Sequence, residues 1–280
     1  MEATYDLDRM LARVDLHCGE ARWPVAYALL ASALGEAKSD SDRARLKLAL
    51  VAGQNQDDFK RGLRYGEEKH ETLDEIEALA GELGDRALLA AALQERGTAL
   101  HIEFIMSEGD FERELDSFSR AAEIFTELGD AEAAAMSTAS IGVCHHVDRI
   151  DRETAWPILL EAHRMAPSDG PSLARAEAAR HLGQIRQELG DVVEGIRYLE
   201  ESVRLREQAG TPLYLPSAYH VLGYARLEAG DLNGAEADLD RARRLAEELN
   251  LPLTVAMVAR NRADLDFARI APNIWRRSHP

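Results

Sequence analysis

The residues best suited to chemistry are Cys144, His145, His146 and Asp148, which fall within five positions of the chain. Thiolate, imidazole and carboxylate groups are the ligands that proteins offer to zinc, provided that three or four of them converge on one ion. On a helix, consecutive side chains diverge by about 100°. The three consecutive residues therefore cannot share an ion, and from the sequence we expect neither a metal site nor a cofactor.

Signatures of catalysis are missing from the rest of the chain. His101 and Glu103 have the H-x-E spacing of zinc deaminases, but no P-C-x-x-C follows to complete that motif. The sequence also contains no G-x-S-x-G, H-E-x-x-H, G-x-G-x-x-G or G-x-x-x-x-G-K-[ST]. Acid–base work by Glu188, Glu228 or His220 stays open, although the sequence favours a non-enzymatic protein.

Composition excludes several classes of partner. The formal net charge is −17, with 46% hydrophobic and 30% charged residues. Nucleic acids and anionic membranes are bound through Lys and Arg, so neither is an expected partner. The N-terminal residues do not resemble a signal peptide, and no apolar run approaches the ~20 residues of a membrane span. We therefore expect a cytoplasmic protein in which Cys18 and Cys144 are reduced and buried.

A repeat of forty residues organises the second half of the chain. HLGQIRQELGD at 181–191 and VLGYARLEAGD at 221–231 share a Leu-Gly pair and a Gly-Asp pair. Gly183 and Gly223 are forty positions apart, as are Asp191 and Asp231. Apolar residues at helical spacing on both sides of each Gly-Asp pair indicate two helices joined by a tight turn.

Each glycine and each aspartate of the repeat has an expected role. A glycine inside the first helix lets the second helix lie close, which offsets the ~1 kcal/mol that glycine costs in a helix. The Gly-Asp pair ends the first helix in a left-handed conformation and caps the next one with the Asp side chain. Gly97 and Gly142 take the same position in two earlier units.

The whole chain, residues 1–280, is predicted to be one all-α domain of about six helix pairs. Residues 1–85 form irregular pairs, 86–250 clearer repeats, 251–270 a closing helix and 271–280 a tail. We expect long helices near 57–83 and 86–107, the second lengthened by the stretch HIEFIMSEGD at 101–110. The charged runs ERELD and EADLDRARRLAEE are expected to face solvent.

The repeats resemble those of the tetratricopeptide-repeat family, in particular the longer units of bacterial LuxR-type regulators. Leu182-Gly183, Leu222-Gly223, Ala235 and Ala242 match the family pattern, whereas Arg186 and Arg226 stand where it has Tyr. The resemblance implies a right-handed α-solenoid whose first helices line a concave groove for peptides or partner proteins. The DNA-binding and nucleotide-binding motifs of those regulators are missing from this sequence.

The position of each residue relative to the repeat glycine identifies the side chains expected to face the groove. They are polar and rich in imidazole and amide groups, and Arg180 among them could hold a carboxylate through two hydrogen bonds. The candidate groove residues are Gln94, His101, His146, Arg180, Gln184, Gln187, His220 and Tyr224.

The leading hypothesis is a non-enzymatic scaffold that binds a protein or peptide in this groove. The alternative is a small-molecule sensor, or an unusual enzyme, with its site between the N-terminal helices and the groove. The candidate walls of that site are His101, His146, Trp23 and Trp156. A third hypothesis concerns the tail, where Ile274, Trp275 and nearby arginines could dock into a groove of this chain or of a second copy, giving a homodimer.

Overall fold

The computed structural model describes residues 6–62, 68–106 and 109–278, and within these ranges the chain is all-α with no strand. Its helices are α1 (Leu7–Gly19), α2 (Trp23–Glu36), α3 (Asp40–Arg61), α4 (Glu68–Leu83), α5 (Arg86–Met106), α6 (Phe111–Leu128), α7 (Ala131–Val143), α8 (Arg152–Met165), α9 (Leu173–Glu188), α10 (Val192–Ala209), α11 (Leu215–Glu228), α12 (Leu232–Glu248), α13 (Pro252–Ile270) and α14 (Pro272–Ser278). Each helix packs on the next, which confirms the predicted solenoid of helix pairs.

The turns between paired helices have the predicted chemistry. The side chain of Asp191 accepts a hydrogen bond from the backbone N–H of Glu194, at the start of α10. Asp110, Asp130, Asp151 and Asp231 cap their helices in the same way. Glycine precedes several of these turns in the left-handed region, for example Gly190 at φ 83° and Gly230 at φ 80°. These aspartates satisfy N–H groups that a helix start otherwise leaves without partners.

The repeat glycines allow the close helix contact that the sequence predicts. A Cβ atom built on Gly183 would lie 2.7 Å from Leu199 Cγ, and one on Gly142 would lie 2.6 Å from Leu159 Cγ. At Gly97 the blocking atom belongs to the ring of Phe118, at 2.6 Å. Real Cβ atoms are not found so close to a neighbour. In each pair, a large side chain of the second helix therefore occupies the space that the glycine leaves empty.

The N-terminal helices depart from the predicted boundaries. The sequence places a new helix near residue 57, which is wrong, because α3 runs without a break from Asp40 to Arg61. Ser39 caps its start and Gly62, at φ 68°, ends it, whereas residues 54–58 carry neither proline nor glycine to stop a helix. Helix α5 has 21 residues against 16 for α9, so the predicted extension is confirmed.

Helix α7 ends differently from its counterparts. It continues into a π-helical turn over Cys144–Asp148, and Ile150 behind it has φ 55°, a strained value for a β-branched residue. In this unit nine positions separate Gly142 from Asp151, against eight from Gly183 to Asp191. The wider π-helical turn takes up the one extra residue.

The two ends of the solenoid meet. One apolar cluster joins Trp23, Leu30 and Leu46 of the first helices to Leu213, in the short turn before α11, and to Leu251, before α13. Helix α3 also packs on α13. The expected open groove is therefore partly closed by the chain's own N-terminal helices, because their apolar faces find cover on the last repeats rather than in solvent.

The C-terminal tail packs on its own chain. Helix α14 follows α13, and Trp275 is buried in the same apolar cluster as Leu265 and Ala268. The tail therefore docks within its own solenoid, one of the two arrangements considered from the sequence. Self-association through the tail stays a prediction.

Replacing Gly183 with Ala is expected to destabilise the fold by about 1–3 kcal/mol, because the methyl group must displace both Leu199 and the backbone oxygen of Gly195, 2.9 Å away. Gly81 is the matched control, since it lies exposed in α4 and an added methyl group there would have no neighbour within 4 Å. Gly81→Ala is expected to stabilise the protein by about 0.5–1 kcal/mol. Urea unfolding of both variants measures the difference, and equal effects would contradict the proposed role of Gly183.

Candidate functional site

The candidate groove residues lie on α5, the α7 turn, α9 and α11, which with α13 form a row of first helices. We call α5, α7, α9, α11 and α13 the inner row. Every one of these candidates is at least partly buried. Gln94 of α5 bonds to Ser137 and Ser140 of α7, and His220 of α11 bonds to Asn261 of α13 at 2.8 Å. Several of these polar side chains therefore join neighbouring repeats.

His146, which the sequence places in the open groove, is instead buried between the end of α7 and α9. Its Nδ1 is 2.9 Å from Nδ1 of His181, and its Nε2 is 3.3 Å from a carboxylate oxygen of Glu188, which also pairs with Arg152. Burial, followed by the nearby Arg180, lowers the pKa of His181 to about 3. His181 is therefore neutral at physiological pH, so one of the two facing Nδ1 atoms can accept a hydrogen bond from the other.

Arg180 is held within the chain. Its guanidinium pairs with Glu177 and bonds to Gln184 at 3.2 Å, and Glu177 also pairs with the buried Arg206. Burial opposes ionisation of Glu177, but Arg180, His181 and Arg206 together keep its pKa well below the usual value. A ligand carboxylate would therefore compete with Glu177 for Arg180.

Lys60 brings α3 to this network from across the groove. Its ammonium lies 5.5 Å from the centre of the Tyr214 ring, and it is buried. Burial, with Arg180 as the next cause, lowers the pKa of Lys60 to about 8. Lys60 of α3 thus lies close to Glu177 and Arg180 in the N-terminal half of α9. This narrows the predicted groove to the opposite, exposed half of the inner row, which includes the C-terminal ends of α9 and α11.

At the C-terminal ends of α9 and α11, the Glu228 carboxylate has hydrogen-bond donors but no ion-pair partner among the described side chains. Glu228 accepts hydrogen bonds from the amide of Gln187 and the hydroxyl of Tyr224. Burial and the Glu228 charge raise the pKa of Tyr224 to about 12, so its hydroxyl stays a donor. Among the Lys and Arg side chains that the structure describes, none forms an ion pair with Glu228. We call Gln187, Tyr224 and Glu228 the inner-row triplet.

His101 does not contribute to the groove with His146. Its Nδ1 lies 2.9 Å from Glu114 and 3.2 Å from Asp148. Burial disfavours its charged form, but the hydrogen bonds to Asp148 and Glu114 prevail and raise the pKa of His101 to about 9. Cys144 donates to the same Glu114 oxygen at 2.8 Å. The sequence did not predict that His101, Cys144 and Glu114 contact one another.

Sequence reasoning missed Glu114 because it lies in the charged run ERELD. The prediction that this run faces solvent is wrong for Glu114, which is 0% exposed. Its i,i+4 neighbour Phe118 packs at Gly97, so this face of α6 is turned towards α5. The i,i+4 spacing of Glu114 and Phe118 could therefore have indicated from the sequence that Glu114 is buried. The divergence of Cys144, His145 and His146 is confirmed, since they contact Glu114, Phe111 and His181 respectively.

A small cavity lies where the chain ends meet. It measures about 180 Å³ and is lined by residues that include Asp15, Cys18, Gln56, Leu173 and Tyr214. The side-chain oxygen of Gln56 is buried there without a hydrogen-bond partner. Cys18 and Cys144 are both free and buried, which confirms the prediction from the sequence. We call this space the seam cavity.

Comparison with solved structures identifies the fold class as a tetratricopeptide-like helical-repeat solenoid. Aspartyl phosphate phosphatase F from Bacillus subtilis is similar with a TM-score of 0.60 and 12% identity, over 98% of this chain and 82% of that one. A Rap protein complexed with competence and sporulation factor gives 0.52 and 14%, over 90% and 79%.

A third similar structure is a signal transduction ATPase with a tetratricopeptide-repeat sensor from Pyrococcus horikoshii. Its TM-score is 0.58 at 16% identity, over 88% of this chain but only 36% of that protein. No protein-family profile matches the chain, and no curated protein does. None of the described helices is both long enough and apolar enough to span a bilayer.

Lys60→Met is expected to stabilise the protein at pH 7 by up to about 3 kcal/mol. The unfolded lysine ionises near its ordinary pKa of 10.5 and the folded one near 8, so folding is penalised fully below pH 8. The penalty fades as the pH rises from 8 to 10.5. The stability difference between variant and parent should shrink over that window, as measured by urea unfolding.

The exposed Lys38 supplies the control for Lys60. Lys38→Met removes the same charge from the surface and should change stability by less than about 0.5 kcal/mol. If Lys60→Met gave a pH-independent effect, the structure's buried position for the Lys60 ammonium would be wrong.

Proposed function

We propose that this protein is a non-enzymatic scaffold that binds a protein or peptide along the exposed half of its inner row. The observation that carries this proposal is the inner-row triplet. Glu228 accepts hydrogen bonds from two neutral donors in two successive repeats, and no Lys or Arg side chain that the structure describes forms an ion pair with it. A carboxylate held in this way is a preformed acceptor for a Lys or Arg side chain.

The surrounding charges favour a basic partner. Asp264 and Arg260 of α13 both act on Tyr224 and oppose each other, so the excess of negative charge comes from Glu228 itself and from a chain with a net charge of −17. Such a surface attracts cationic segments and speeds their association. Arg180 keeps a supporting role, since it orders Gln184 beside the triplet. Gln94, His146 and His220 hold neighbouring inner helices in register.

The structural comparisons are consistent with this type of function. The Rap protein with the same fold was solved in complex with competence and sporulation factor. A helical-repeat solenoid offers an extended surface for such partners, because each repeat contributes the same face in turn. The proposal for this chain depends on its own side chains, since the identity is only 14%.

Peptide selection tests the proposal. A displayed library of random peptides, bound to the immobilised full chain, is expected to enrich sequences that contain Lys or Arg. Glu228→Gln should weaken the binding of a selected peptide at least tenfold, because it removes the charge and keeps the shape. Glu248→Gln, the same change on the exposed end of α12, should leave binding unaltered. Equal binding by both variants would contradict the proposal.

The seam cavity supports a second candidate function, the binding of a small molecule. It lies between α1, α3 and the turn before α11, beside the N-terminal helices as the alternative requires, but none of the four expected wall residues lines it. The unpartnered Gln56 oxygen can accept one hydrogen bond, and about 180 Å³ accommodates only a compact ligand. A ligand there would contact the N-terminal helices and the turn before α11 and so stabilise their contact.

A thermal-shift screen of small polar metabolites tests this second candidate. A ligand of the seam cavity should raise the melting temperature of the parent but not that of Gly53→Leu, which fills the cavity from α3. Gly35→Leu, on an exposed face of α2, is the matched control and should keep the response. A response that survives Gly53→Leu would place the ligand elsewhere.

A further inference from the structure

Four side chains with metal-binding chemistry converge between α5, α6 and the π-helical turn. They are His101, Glu114, Cys144 and Asp148, and one ligand atom from each lies within 4.8 Å of the other three. Glu114 and Cys144 are fully buried, and the side chain of Asp148 is 1% exposed. The four residues come from three separate elements, so their meeting depends on the fold and not on proximity in sequence.

Two of the carboxylate oxygens at this place have no partner. Glu114 Oε2 and Asp148 Oδ1 are buried and accept no hydrogen bond. The His101 imidazole and the Cys144 thiol bond to the other oxygens, Oε1 of Glu114 and Oδ2 of Asp148, so each carboxyl group keeps one buried oxygen without a partner. Burying a carboxylate oxygen without a partner is costly, and such oxygens in native proteins call for a cation or another donor.

We propose that His101, Glu114, Cys144 and Asp148 form a binding site for one divalent transition-metal ion, with Zn²⁺ as the best match. Tetrahedral coordination at about 2.0–2.3 Å places ligand atoms about 3.3–3.8 Å apart. The observed separations run from 2.8 Å to a maximum of 4.8 Å, so side-chain adjustments of about an ångström or less would close the shell. One sulfur, one nitrogen and two oxygen donors suit Zn²⁺ better than Mg²⁺ or Ca²⁺.

The donor set fits the chemistry of such an ion. Cys144 would bind it as a thiolate, His101 through a neutral imidazole, and Glu114 and Asp148 as carboxylates, the forms in which these groups bind metals.

The local structure is built around these four residues. The extra residue before Asp151 creates the π-helical turn, whose wider winding brings Cys144 and Asp148 to one side. π-helical turns are frequent at functional sites. Phe111 and Phe118 pack against Cys144 and give the site an apolar wall. Because all four positions around the ion would be protein ligands, its role is structural, joining α5, α6 and α7.

Cobalt binding provides the test, because a thiolate ligand gives Co²⁺ an intense charge-transfer absorption that carboxylates and imidazoles do not. The full chain, stripped of metal, is titrated with Co²⁺ and then with Zn²⁺. The expected result is one Co²⁺ per chain with a thiolate band, displaced by Zn²⁺, and a higher melting temperature with either ion. Absence of a thiolate band in the parent would overturn the proposal.

Three variants locate the ion. Cys144→Ser is expected to abolish the thiolate band, whereas Cys18→Ser, the same change at the other buried cysteine, should leave it intact. Asp148→Asn preserves shape and should weaken metal affinity at least tenfold. If Cys144→Ser fails to fold, Asp148→Asn still decides between the outcomes. Unchanged metal affinity in Asp148→Asn would overturn the proposed site, and so would loss of the thiolate band in Cys18→Ser. Either result leaves the inner-row triplet untouched.

Discussion

The rest of the structure depends on one contact, in which a large side chain of the second helix packs against a glycine of the first in the pairs α5–α6, α7–α8, α9–α10 and α11–α12. Leu199 fills the space at Gly183, Leu159 that at Gly142, and Phe118 that at Gly97. The contact fixes the distance between the two helices of a pair and their relative rotation, so pairs that share it stack with similar geometry. This geometry also determines which polar residues lie on the inner row. Because the glycine must face the second helix, the direction of every other side chain on the first helix is fixed relative to it.

Two departures from the regular stack account for the features with chemical interest. The single extra residue after Gly142 converts the end of α7 into a π-helical turn and carries Cys144 and Asp148 towards α5 and α6. The long α3 carries Lys60 across the groove to the network of Glu177 and Arg180. Regular repeats supply the scaffold, and local irregularities place buried polar groups where a uniform solenoid would have none.

The sequence predicts the fold well and the site only in part. The helical periodicity of apolar residues, the Gly-Asp turns and the repeat glycine are all local features of the sequence. The helix pairs and their close contact could therefore be predicted from residues such as Gly183 and Asp191. The partners of His101 could not, because Glu114 and Asp148 reach it through tertiary packing over 13 and 47 positions. The contact between the N-terminal helices and the last repeats could not be predicted either. It depends on how all the repeats stack and not on the sequence of any one of them.

The most direct test of this account is a double-mutant cycle on Gly97 and Phe118, since the three atoms nearest to a Cβ added at Gly97 all belong to the Phe118 ring. Gly97→Ala, Phe118→Ala and the double variant are compared with the parent by urea unfolding. If the Phe118 ring occupies the space that the glycine leaves empty, truncating it makes room for the added methyl group, and the double variant should be at least about 1 kcal/mol more stable than the sum of the single effects predicts. Additive effects, within about 0.5 kcal/mol, would show that the two residues do not interact and would contradict the proposed basis of the helix pair.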